Sequence, residues 1–222
     1  MEAMSIFNDP ITLVALAIAT FAGFKLWQVL GHSGGASTDR TENLVPQNTD
    51  LELKAVEQTT RVIWDGFAEK DSVLAKTLQS IADKDTAFDT AQFIHLAQHV
   101  HEQILNAFAD GDLVKLGALL TPPTYEVFAT EIANRKAQGQ IVIFKFIRLV
   151  KSNLKSAELI GSEARLAVVF TTEVVSALKD AKGLLISGDE KAISRVEERW
   201  TFNSDLSQSQ RQWRLTETHD AD

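Results

Sequence analysis

The stretch Gly139–Ser176, GQIVIFKFIRLVKSNLKSAELIGSEARLAVVFTTEVVS, decides the fold, because hydrophobic patterning changes period at its start. Ile141 to Val150 is rich in β-branched and aromatic residues, the composition of a strand. Ala157 to Ile160, then Gly161-Ser162, then Ala164 to Ser176 reads as two strands around a tight turn. Further on, Ile193–Phe202 and Gln212–Thr216 supply two more strands, separated by a polar loop over Asn203–Arg211.

Upstream of Gly139 the period is helical. Asp89 or Thr90 is placed to cap a helix running to about Ala109, with Phe93, Ala97, Val100, Ile104 and Phe108 on one face. Asp110-Gly111-Asp112 breaks that helix and caps the next, which carries Leu113, Leu116, Leu119 and Leu120. Thr121-Pro122-Pro123 starts a third, with Tyr125, Val127, Phe128 and Ile132, that ends at Gly139. Helices first and hairpin-linked strands after predict an α+β domain: N-terminal helices packed on an antiparallel sheet.

The predicted domain spans residues 88–218, followed by a short tail at 219–222. Before it lies a partly helical segment, 51–87, in which Trp64 and Phe67 argue for docking, since two large aromatics are unusual in a pure linker. Residues 31–50 (GHSGGAS and the polar stretch after it) read as a flexible tether. Residues 10–30, PITLVALAIATFAGFKLWQVL, are apolar over the length a helix needs to cross ~30 Å of hydrocarbon. The nine residues before them contain Glu2 and Asp9 and no base, unlike a cleavable leader, so a retained anchor is expected. Lys25 and Arg40 on the C-terminal side orient the domain toward the cytoplasm.

Composition narrows the function. A net charge of -8 argues against nucleic acid as a partner, and the absence of cysteine removes disulfides, thiolate metal sites and cysteine nucleophiles. His95 and His99 share a helix face but point away from the apolar one, with His101 at its edge, so exposed helix histidines are expected in place of a metal site. Asp110 and Asp112 read as turn and cap residues, and Glu197 and Glu198 point to opposite faces of a strand, so neither pair forms a catalytic dyad. No catalytic motif, metal ligand set or cofactor is predicted. One basic zone stands out: Arg135, Lys136, Lys145, Arg148, Lys151 and Lys155 accumulate where no acid lies between Glu131 and Glu158. Facing anionic headgroups, each would contribute about 1 kcal/mol. Regular strand parity, however, separates Lys145 from Arg148.

Ala107-Phe-Ala-Asp-Gly-Asp112, Leu116–Thr121 and Tyr125-Glu-Val-Phe128, with Trp64-Asp-Gly-Phe-Ala68 before them and Val174–Ser176, VEERWTF (Val196–Phe202) and Trp213-Arg-Leu after, form an ordered series. This series resembles the bacterial TimA family, itself similar to the C-terminal domain of the motor-anchoring subunit of the mitochondrial inner-membrane protein translocase. The resemblance implies a cystatin-like fold of the nuclear transport factor two superfamily, with helices curled over a curved antiparallel sheet around an apolar cavity. It also implies bacterial inner-membrane association, protein partners at the membrane and no catalytic residue. The candidate cavity residues are Val100, Ile104, Phe108, Leu120, Tyr125, Phe128, Phe144, Phe146, Phe170 and Trp200. His101 departs from the aromatic residue expected there. The resulting expectation is a single-pass adaptor holding proteins at the cytoplasmic face; the alternative is a small-molecule or lipid binder, or an enzyme, using the same cavity.

Overall fold

Asp89 and Asp112 start two of the helices in the computed structural model, which describes residues 63–209 and 211–221. Helix α1 spans Val73–Lys84 and is capped by Ser72, whose Oγ accepts from the Ala75 amide at 3.1 Å. Helix α2 spans Thr90–Asp110; Asp89 Oδ1 accepts from the Gln92 amide at 2.8 Å, satisfying one of the orphan donors at a helix start. It stops at Gly111, whose φ of 71° is a left-handed conformation that glycine adopts without steric cost. Helix α3, Leu113–Leu119, is capped by Asp112 through the Lys115 amide. Helix α4, Pro122–Ala137, follows Thr121, whose hydroxyl does not cap it and meets Thr124 Oγ1 at 2.9 Å; Thr124 in turn donates to the Thr216 carbonyl.

Four strands follow: β1 Ile141–Ile160, β2 Glu163–Lys179, β3 Leu185–Asp205 and β4 Arg214–Asp220. They form one antiparallel sheet in the order β1-β2-β3-β4. The α+β reading and the helix order hold; the strand boundaries differ. Ile141–Val150 and Ala157–Ile160 are parts of one long strand, kept paired to β2 by register shifts between Phe146 and Arg148, Leu149 and Lys151, and Leu154 and Ser156. Such bulges bend a strand and raise its twist, allowing a long sheet to wrap over helices. Strand β3 begins well before Ile193 and includes Asn203–Asp205, placed in a loop by their polarity, because Ala164 and Glu163 pair with Ser204 and Asp205. Strand β4 runs later than Gln212–Thr216 and takes in His219 and Asp220.

The core lies between α2 and one sheet face. Leu166, Val168 and Phe170 of β2, Trp200 and Phe202 of β3 and Leu215 of β4 meet the predicted face of α2, where Phe93, Ala97, Val100, Ile104 and Phe108 are all buried. Phe93 sits edge-on to Phe202 and Trp213, with ring centroids 6.0 and 4.8 Å away. Ile63, Leu78 and Ile81, N-terminal to the expected domain start at Phe88, join the same core, and Trp64 and Phe67 pack against it. Arg211 pairs with the buried Asp85, and Lys84 Nζ donates to the Gly161 carbonyl, fastening α1 to the sheet. Among the described residues no helix is long and apolar enough to cross a membrane. The expected span at 10–30 and tether at 31–50 lie outside the described residues.

Candidate functional site

The two faces of the sheet differ chemically, and β2 provides the ruler. Its even-numbered residues Leu166, Val168, Phe170, Thr172, Val174 and Ser176 point toward the helices, and its odd-numbered residues Thr171, Glu173 and Val175 point the other way. Directly paired residues project to the same side, so the register assigns every neighbour to a face.

On the helix side, Phe144 pairs with Ser176, Phe146 with Val174, Glu198 with Phe170 and Trp200 with Val168. His101 reaches this surface from α2. Its ring stacks on Phe170 at 4.3 Å, tilts against Trp200 at 4.4 Å and meets Phe146 edge-on at 6.4 Å. The expectation that His101 lies exposed at the helix edge is corrected: it is 0% exposed, because the bent sheet wraps around the flank of α2. Neither ring nitrogen has a hydrogen-bond partner, and burial pushes its pKa down from 6.5 to about 3, so the imidazole is neutral at physiological pH. His95 and His99 are exposed, as expected. Among the described residues no group of acids and histidines could hold a metal ion.

Of the ten cavity candidates, Val100, Ile104, Phe108, Leu120, Phe128, Phe170 and Trp200 are buried, and Tyr125, Phe144 and Phe146 are half-buried. The structure draws them into two groups. Phe146, Phe170 and Trp200 surround His101, while Phe108 and Phe128 face each other at 5.0 Å under α4. Arg135 completes the second group: its guanidinium lies 4.3 Å from the Phe108 ring centre and donates to the Phe108 carbonyl at 2.7 Å. That removes it from the basic surface. Its long side chain covers apolar surface and burial lowers its pKa, opposed by the charge of Glu131.

Glu198, which the sequence ruled out only as half of a dyad with Glu197, pairs with Phe170 on the side of the first group. Its carboxyl is buried, and that burial, reinforced by the charge of Asp220, raises its pKa from 4.5 to about 7. The Trp200 indole lies near enough to oppose this slightly, without reaching hydrogen-bond geometry. Parity was the available signal, since Glu198 falls in step with Trp200 and Phe202. His101 makes no hydrogen bond to Glu198, so the two are not assembled as an acid–base pair.

On the opposite, solvent face, Lys145 pairs with Val175, Arg148 with Glu173 and Lys151 with Thr171. All three bases therefore share one face. The strand parity that would separate Lys145 from Arg148 fails because a bulge intervenes between Phe146 and Arg148, and another before Lys151 restores the face again. Arg195 of β3 joins them across Glu173, which accepts from Arg148 at 2.8 and 3.0 Å and from Arg195 at 3.0 Å. These bonds hold the Glu173 carboxyl below its ordinary range. Lys155 is skipped in the pairing between Leu154 and Ser156, and Lys136 lies on the helix side beside Gly111.

The fold defines an α+β domain in which the described helices pack on a four-stranded antiparallel meander. The chain belongs to the Tim44-like domain family, which matches residues 74–220. It is similar to mitochondrial import inner membrane translocase subunit TIM44-1 of Arabidopsis thaliana, at 21% identity over 133 residues covering 60% of this chain and 28% of that protein. Mouse (Mus musculus) subunit TIM44 is 26% identical over 133 residues, covering 60% of this chain and 29% of the relative. The chain thus spans under a third of the length of either relative. Among solved structures, the intermembrane space region of the chloroplast protein ARC6 aligns with a TM-score of 0.40 at 16% identity, over 57% of this chain and 95% of that one.

Proposed function

We propose that this chain is a single-pass adaptor of the bacterial TimA branch of the Tim44-like family, which holds protein partners at the cytoplasmic face of the inner membrane. The observation that carries the reading is the order of parts: a Tim44-like domain at residues 74–220 placed behind an apolar run at 10–30 long enough to span a bilayer. The two relatives are named as subunits of a mitochondrial inner-membrane translocase, which supports a place at a membrane among protein partners. Tethering is the mechanism. A domain confined near the bilayer meets membrane-bound partners at raised effective concentration without any added contact.

The test is crosslinking and affinity capture from membranes with the full chain and with a chain lacking Ile11–Leu30. Partners enriched only with the full chain are expected; equal recovery from both would remove anchoring from the mechanism. Protease added to intact spheroplasts should leave the domain uncut, and its digestion there would reverse the orientation.

A further inference from the structure

We infer that the helix side of the sheet binds a small alkylammonium, its head held by Glu198, Asp220 and Thr172 and its chain lying over Val196 toward Phe146. This site is separate from the anchoring proposed above and does not depend on it. The register builds it. Glu198 pairs with Asp220 across β3 and β4 and with Phe170 across β3 and β2, so the two carboxylates stand side by side on the helix side. The next row along that side is Leu149, Thr172 and Val196, and the one after it Phe146, Val174 and Ser194.

The bases of the sheet are turned away from this place. Lys145, Arg148, Lys151 and Arg195 point to the opposite face, and Arg199 alternates with Glu198 and Trp200 along β3. From the helices, Arg135 is folded onto Phe108, Lys136 lies beside Gly111, and His101 is neutral. No base therefore offsets the Glu198 carboxyl: burial, then the charge of Asp220, raises its pKa to about 7, and only the Trp200 indole opposes them. A cation entering beside the pair supplies what the chain withholds, and favours the ionised form.

Thr172 points to such a ligand independently. Its side chain is 2% exposed and its hydroxyl has no hydrogen-bond partner, one diagonal step from Glu198 on the same side. Buried hydroxyls are nearly always bonded. A primary ammonium has three donors and no acceptor, which matches two carboxylates and a hydroxyl oxygen. A metal ion fits less well, since among the described residues no three acids or histidines converge. The row is also reachable: Asp220 is exposed, and Ser194, Val196 and Phe146 are half-buried, so they border Thr172 and Glu198 with surface open to solvent. Beyond the head, Val196 and Phe146 offer apolar surface to a short alkyl chain.

The test follows the Trp200 indole N–H by proton–nitrogen NMR in the full chain held in nonionic detergent, the signal being assigned by its loss in Trp200→Phe. Butylammonium at pH 8 should shift it saturably. Butanol and butyrate should not, and tetramethylammonium, which has no N–H to donate, should bind at least about tenfold more weakly. Because Glu198 must be ionised, the apparent affinity for butylammonium should fall about tenfold from pH 8 to pH 6. Glu198→Gln should abolish saturation while the other indole signals keep their positions. Asp220→Asn, at an exposed strand position, should weaken binding a few-fold, and Glu217→Gln, which pairs with Thr201 on the opposite face, should leave it unchanged. Butanol binding as well as butylammonium would make the place a plain apolar groove. That result, an affinity indifferent to pH or to Glu198→Gln, or the absence of any saturable shift overturns the proposal.

Discussion

Replacing His101 by phenylalanine isolates the cost of holding an imidazole in the core. The ring sits 4.3 Å from Phe170 and 4.4 Å from Trp200, a setting that accepts an aromatic of similar shape. Two terms are independent of pH: relief of unpartnered ring nitrogens, about 1–3 kcal/mol, and strain from the larger phenyl ring, also about 1–3 kcal/mol. They oppose each other, so the net change at pH 7 is small. The pH-dependent term is not ambiguous. Burial takes the His101 pKa from 6.5 to about 3, so between those values the unfolded chain binds a proton that the native one refuses. Native stability from this group is complete above pH 6.5 and lost as pH falls toward 3. At pH 5 the deficit is about 2 kcal/mol, from 1.5 pKa units at 1.36 kcal/mol each. His101→Phe should therefore gain about 2 kcal/mol over the parent between pH 7 and pH 5, read by urea unfolding of the detergent-solubilised chain through tryptophan fluorescence. A gain that does not change with pH, or a His101 ring proton titrating near 6.5 by NMR, would refute the reasoning.

Glu198 makes the opposite prediction. Its pKa is raised from 4.5 to about 7, so the native state holds a proton the unfolded state has released, and stability falls as pH rises through that window by up to about 3 kcal/mol. Glu198→Gln should remove this decline, so its melting temperature gains on the parent from pH 4.5 to pH 8; parallel curves would show that the carboxyl is solvated. Because His101 and Glu198 act with opposite sign between pH 4.5 and 6.5, their contributions offset there, and each single variant exposes the slope of the other. Gly188→Ala tests the distal sheet: with φ at 83°, an added Cβ would lie 2.2 Å from the Ser176 carbonyl oxygen and 2.6 Å from Ala177 Cα. Relief requires the β2–β3 pairing there to separate, at a cost of several kcal/mol, and hydrogen exchange should quicken over 174–190 while 164–172 stays protected. Protection unchanged across both segments would mean that the close approach is absent in solution.

Local signals were sufficient for α2, α3 and α4, but not for the bounds of α1. Asp89, Asp112 and Gly111 act within three or four residues of themselves, and the Phe93–Phe108 face repeats at the helix's own period, so their roles are written in adjacent positions. The same holds for Trp64 and Phe67, whose bulk foretold docking without saying where. In the sheet, composition showed that strands form and that hairpins link them. It did not show that Ile141–Ile160 is continuous, because each bulge exists only relative to the partner residues of β2. That nonlocal register put Lys145, Arg148 and Lys151 on one face against their parity, and it joined Arg195 to them from nearly fifty residues away. Arg135 looked like one more surface base until the packing of α4 on Phe108 covered it. Burial of His101 and Glu198 was likewise invisible in one dimension. A helix edge or a strand position becomes interior only when another element closes over it, and the energy that makes those two groups titrate abnormally comes from that closure.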